Sequence, residues 1–164
     1  MTDAESSIQL VHWMGIGDAN AAGSIHGGTI MKLVDEAAGL AAIKHAHRRV
    51  VTAAMDRMTF LYPISIGELV TFRAMVNATW RTSMEVGVRV EAENPRTGEL
   101  RHTNTAFLTL VALDEDGSPT AVPKVVAETP QQQRRMREAE FRRAHRLAER
   151  SEILAQRERE DSEG

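Results

Sequence analysis

The stretch that most constrains this chain is residues 29–47, TIMKLVDEAAGLAAIKHAH, a run of strong helix formers with no proline. Apolar or small side chains (Ile30, Met31, Leu33, Val34, Ala37, Ala38, Leu40, Ala41, Ala42, Ile43) occupy nearly the whole helical circumference, so the spacing predicts a buried helix. Lys32, Asp35, Glu36 and Lys44 interrupt it, and Lys32 and Glu36 are spaced to pair along one face. Such a helix needs a cover, and the flanking sequence offers strands. A short one is expected at 8–13, ahead of a Gly/Ala/Asn/Ser-rich loop at 15–28. Extended runs follow at 50–60 and 68–80. The run 84–93 alternates, with Met84, Val86, Val88, Val90 and Ala92 on one face and Glu85, Arg89, Glu91 and Glu93 on the other, which predicts a half-exposed strand. The Asn94-Pro95-Arg96-Thr97-Gly98 turn leads into 101–113, giving a hairpin. Four strands without crossover helices imply an antiparallel sheet wrapped around one helix, an α+β architecture. Val50, Ala54, Phe72, Val76, Leu108 and Leu110 also lie among the strands, so the outer face reads as only partly polar, with some of it meeting another copy.

The composition shifts near Pro130. Residues 1–130 read as one folded domain and 131–164 as a charged helical tail frayed toward Gly164. A chain of 164 residues with net charge −3 gives no electrostatic reason to expect nucleic acid, and the absence of cysteine removes thiolate nucleophiles, thiolate metal ligands and disulfides. The opening MTDAESSIQL lacks a basic segment followed by an apolar run, and no stretch approaches the ~20 apolar residues of a membrane helix. The expected location is cytoplasmic, with no membrane partner.

The chemistry concentrates at Gly27-Gly28, immediately ahead of the helix. Glycine admits a ligand close to the backbone, and the first helical N–H groups lack intrahelical partners, so the Gly28 amide is a candidate oxyanion donor. Two turns on, Asp35 is costly in an apolar helix. It is either a functional carboxylate or a residue paired with Lys32 or solvated beside Glu36. Asn20, in a Gly/Ala-rich loop, has two readings, of which composition favours the turn former. His26 is placed to orient a substrate or to pack in the loop, and packing is the expectation. His45 and His47 point to different helix faces, which is poor metal geometry, so no metal is predicted. Ser24 lacks the sharp turn and His-Asp partners of a serine nucleophile.

The ordered segments DANAAGSIHGGTIMKLVDEAAGLAA, VTAAMDRMTFLYPISIGE, RTSMEV and VALDEDGSPTAVP, with Glu128-Thr129 after them, resemble the acyl-CoA hydrolases of the hotdog superfamily over residues 12–130. The resemblance implies a hotdog fold and hydrolysis of acyl-CoA to fatty acid and CoA. Asn20 matches the family's catalytic asparagine and Asp35 its catalytic carboxylate, acting as general base or as nucleophile. It further implies that the two come from opposite domains, so that this chain acts as a homodimer, with dimers joining as hexamers. Gly27 and His26 then lie beside the thioester, and Arg81, Thr82 and Ser83 are candidates for CoA contacts, although each also reads as an ordinary strand start. Coenzyme A enters as part of the substrate, with no separate cofactor. The rival readings are a non-catalytic acyl-CoA sensor of the same fold, then a hydratase, which lacks its Asp-His motif here, and last a nucleic-acid role for the tail.

Overall fold

A computed structural model describes residues 2–163. Its elements run α1 (Asp3–Ser6), β1 (Ile8–Trp13), a 3-10 turn (Ile16–Asp18), α2 (Gly27–Ala46), β2 (Arg49–Met55), β3 (Leu69–Thr79), β4 (Ser83–Glu93), β5 (Leu100–Leu113) and α3 (Pro130–Glu163). The strands form one antiparallel sheet in the order β1-β3-β4-β5-β2, and α2 packs chiefly on β3 and β4. This is the antiparallel sheet around one helix that the sequence implies. Two compact units are present, Met1–Val126 and Ala127–Gly164. The first holds the sheet and α2. The second holds α3, whose first turn is closed by a capping box: Gln132 Oε1 accepts from the Thr129 amide at 2.7 Å and Thr129 Oγ1 accepts from the Gln132 amide at 3.2 Å. No helix among the described residues is long and apolar enough to cross a membrane.

The expectation of a helix buried on all sides is corrected. Ile30, Leu33, Val34, Ala37, Ala38, Ala41, Ala42, His45 and Ala46 are buried, but Met31 (42%), Leu40 (46%) and Ile43 (46%) are exposed. One sheet covers one side of a helix, and the second apolar side is left without cover in a single chain. The same is true of β2. It ends at Met55, short of the expected residue 60, with a register shift between Thr52 and Ala54. Its tail follows β5 through sparse bonds, Asp56 N–H to the Phe107 carbonyl at 2.9 Å and Leu61 N–H to the Thr103 carbonyl at 3.0 Å. It is an edge strand exposed along most of its length.

Two strand expectations also change. Phe72, Val76, Leu108 and Leu110 lie in the core: Phe72 stands opposite Val90, Val76 opposite Val86, Val86 opposite Leu108 and Met84 opposite Leu110, and all are buried. The β4 strand is not half-exposed, because Glu85 and Glu91 are buried as well. As the middle strand it is flanked on both sides, and its charges find partners across it: Glu91 accepts from Arg73 on β3 and from Arg89 at 3.0 Å, while Glu85 accepts from the Asn77 amide at 3.2 Å. Asn77 is packed over Gly87, where a Cβ would stand 2.7 Å from its Nδ2, so Gly87 is the residue that this close approach requires.

The C-terminus of α2 ends on His47 in the left-handed conformation (φ 51°), its N–H bonded to the Ile43 carbonyl at 2.8 Å. Just inside, fully buried His45 contacts the Pro123 carbonyl through Nε2 at 2.8 Å, which makes Nε2 the protonated nitrogen of a neutral ring. Burial pushes the His45 pKa below its usual 6.5 and outweighs the opposing effect of the Pro123 carbonyl. An unfolded chain therefore takes up a proton near 6.5 that the folded chain refuses, so this contribution to stability is intact above that pH and is lost as pH falls below it. The melting temperature of the wild type is expected to fall by a few degrees more than that of His45→Gln between about pH 7.5 and about pH 5.5. Parallel pH profiles for the two proteins would show that His45 does not carry the effect.

Candidate active site

The loop ahead of α2 is built by two short acceptor residues. Asp18 Oδ2 accepts from the Gly15 amide at 2.8 Å and lies 3.3 Å from His12 Nε2, while its backbone carbonyl accepts from the His26 amide at 2.9 Å. The Gly15 N–H holds the Asp18 carboxyl below its usual pKa. Asn20 Oδ1 accepts from the Ala22 amide at 2.9 Å and the Ser24 amide at 3.2 Å, an Asx-type turn. The turn reading of Asn20 is therefore correct, and it does not exhaust the residue. Two backbone donors require an oxygen acceptor, which leaves Nδ2 as a fixed donor with no partner among the described residues.

This loop delivers His26 to the N-cap of α2, where its carbonyl takes the amides of Thr29 at 3.0 Å and Ile30 at 3.3 Å. The Gly27 and Gly28 amides make no hydrogen bond among the described residues. Gly28 is exposed, and a Cβ there would meet nothing within 4 Å, so a ligand can reach its N–H. Gly27 lies under Phe60, whose ring would stand 3.4 Å from a Cβ. His26 is exposed and makes no side-chain cap, so the packing expectation fails: its ring stands in the open beside the free amides.

Asp35 does not pair with Lys32, which reaches Glu36 at 3.8 Å instead. Its partner is Thr52, whose hydroxyl donates to Asp35 Oδ1 at 2.6 Å. Thr52 stands opposite Leu110, on the face that carries the core, so its hydroxyl points at α2. Sequence reading missed Thr52, because only the pairing of β2 with β5 brings it to the helix. Asp35 is half-buried and Thr52 exposed, so the pair sits at the open rim between helix and edge strand.

Arg81 and Thr82 lie in the β3–β4 turn and Ser83 opens β4, Arg81 exposed and the other two half-buried. The Ser83 carbonyl accepts from Trp80 N–H at 2.8 Å, the Thr82 carbonyl from Ala112 N–H at 3.0 Å and the Arg81 carbonyl from Val122 N–H at 3.2 Å. Their strand-start reading is thus correct for the backbone. Ser83 faces Val111, which faces Val51, so the turn lies level with Thr52 and two strands away, roughly 10 Å. Pro123 ties the neighbouring segment to His45, near the C-terminal end of α2. One chain therefore gathers the candidates in two places: Asn20, His26, Gly27 and Gly28 at the start of a helix about 30 Å long, and Asp35, Thr52 and the Arg81–Ser83 turn farther along it. No cluster of metal-binding side chains occurs among the described residues.

The profile of the Thioesterase superfamily matches residues 22–99, which hold Gly28, Asp35 and Thr52. An uncharacterized acyl-CoA thioester hydrolase of Bacillus subtilis is 41% identical over 115 residues, 70% of this chain and 67% of that protein. The crystal structure of an apo hexameric acyl-CoA thioesterase superimposes with a TM-score of 0.87 at 37% identity, covering 91% of this chain and 96% of the other. An acyl-CoA hydrolase from Staphylococcus aureus, solved with butyryl coenzyme A, coenzyme A and coenzyme A disulfide, matches with a TM-score of 0.87 at 33% identity over 96% of both chains. The same enzyme has been solved with alanine replacing an aspartate, an asparagine and a threonine. With this identity and coverage, the chain belongs to the acyl-CoA hydrolase family of the hotdog thioesterase superfamily.

Proposed function

We propose that the chain hydrolyses acyl-CoA thioesters to a free fatty acid and CoA, in a site assembled from two copies. The observation that carries this is the Thr52–Asp35 hydrogen bond at the open edge of the helix. The asparagine, aspartate and threonine replaced in the S. aureus enzyme are spaced 15 and 17 residues apart, the spacing of Asn20, Asp35 and Thr52 here.

In this reading Asp35 takes a proton from water through the carboxylate oxygen that Thr52 leaves free, and the water oxygen attacks the thioester carbon. The tetrahedral oxyanion accepts from the Gly28 amide, strengthened by the α2 dipole, and Asn20 Nδ2 orients the water or the thioester. The C–S bond then breaks and the CoA sulfur leaves, taking up a proton. The alternative, attack by Asp35 itself to give an anhydride, uses the same groups. Arg81, Thr82 and Ser83 are assigned to CoA, with Arg81 offering a guanidinium to phosphate. His26 and Gly27 border the thioester.

Sharing between copies is supported by the separation of the two groups in one chain and by the uncovered apolar side of α2 beside the free edge of β2. A homodimer covers both, and the hexameric relative supports a trimer of such dimers. The test is release of free thiol from a series of acyl-CoAs. Turnover supports the enzyme, whereas binding without consumption supports a sensor of the same fold. Thr52→Val is expected to lower kcat about tenfold or more with KM changed less than about twofold, because it removes a hydrogen bond to a charged group and no substrate contact. An unchanged kcat would remove Thr52 from the mechanism.

A further inference from the structure

A cavity of about 330 Å³ opens beside the start of α2, walled by Gly27, Ile30, Phe60, Leu61, Tyr62 and Ile64. Its lining is mostly apolar, and it adjoins the free Gly28 amide through Gly27. Ile30 and Ile64 form a buried floor, while Phe60, Leu61 and Tyr62 are partly exposed around it. The segment carrying them is held in place, since Leu61 N–H bonds the Thr103 carbonyl of β5 at 3.0 Å and the Phe60 ring rests on Gly27. A thioester whose carbonyl oxygen accepts from the Gly28 amide would have its hydrocarbon beside this wall.

We propose that this cavity receives the straight hydrocarbon of the acyl group, and that Phe60 and Leu61 set the chain length. The inference rests on the thioesterase reading above and extends it to specificity. At the ~30 Å³ that one water, a single non-hydrogen atom, occupies in the liquid, the cavity holds on the order of ten non-hydrogen atoms, which points to medium-length acyl chains. Each methylene buried there strengthens transition-state binding by ~0.8 kcal/mol, so kcat/KM rises about fourfold per carbon until the cavity is full and then levels off.

The experiment measures kcat/KM for saturated straight-chain acyl-CoAs with Phe60→Ala, which deepens the cavity, and Leu61→Trp, which fills it. The expected result is a levelling point moved by two or more carbons to longer chains in Phe60→Ala and to shorter chains in Leu61→Trp, with the shortest substrates changed less than about threefold. Phe60→Leu, which keeps an apolar contact on Gly27, shifts the profile in the same direction by less and guards against misfolding of the alanine variant. Profiles that stay parallel to the wild type at every length, in variants that still hydrolyse, overturn the inference. A wild type that hydrolyses no chain length overturns the parent reading instead.

Discussion

Asp35→Ala is expected to reduce CoA release about a thousandfold, with the fold and assembly intact. The magnitude is that of removing a general base, and a nucleophile would cost at least as much. The variant should fold because Asp35 is half-buried and, among the described residues, holds no ion pair and has one hydrogen-bond partner for its side chain, the Thr52 hydroxyl, which lies at an exposed position and turns to water when Asp35 is gone. Alanine is also the best helix former, so α2 is not weakened. Rate should therefore fall without a fall in melting temperature, as measured by thiol release under saturating acyl-CoA and by thermal unfolding of the same preparation. Undiminished turnover would exclude Asp35 from the chemistry, and loss of assembly would make it structural.

Much of this architecture is written in local pattern. The short run at 8–13, the alternation at 84–93, the turn chemistry of Asn94 to Gly98 and the proline-free helix each depend on neighbours in sequence, and the elements appear within a residue or two of where those patterns place them. What is not legible depends on register and on layers. Glu85 and Glu91 read as a solvated face, yet Arg73 and Asn77 on the adjacent strand reach them, and only the β3–β4 pairing determines that. The uncovered side of α2 cannot be inferred from its composition, because an apolar helix looks the same whether its second cover is another layer of its own chain or another molecule.

The candidate site divides in the same way. Gly27-Gly28 ahead of a helix is a local signal, and the free amides are found there. Asp35 was ambiguous because Lys32 stands within reach in sequence, and its real partner comes from β2. Asn20 carries both of its readings at once, with Oδ1 building the turn and Nδ2 left over.

The central claim is that Asn20 of one copy and Asp35 of another serve the same thioester, and its consequence is complementation. Asn20→Ala should lose activity about a hundredfold as a lost polar stabiliser, and Asp35→Ala more, so neither variant alone turns over appreciably. In a two-fold pair of one copy of each, one site carries both substitutions and the other carries none. Random exchange at equal amounts makes half of all pairs mixed, each with one intact site of two, so the mixture should recover about a quarter of wild-type activity. The measurement is thiol release from a medium-chain acyl-CoA after the two variants are unfolded, mixed and refolded together, with mixed pairs verified by mass. Recovery near a quarter is the predicted result. A mixture as inactive as its components, with mixed pairs present, would contradict the shared site.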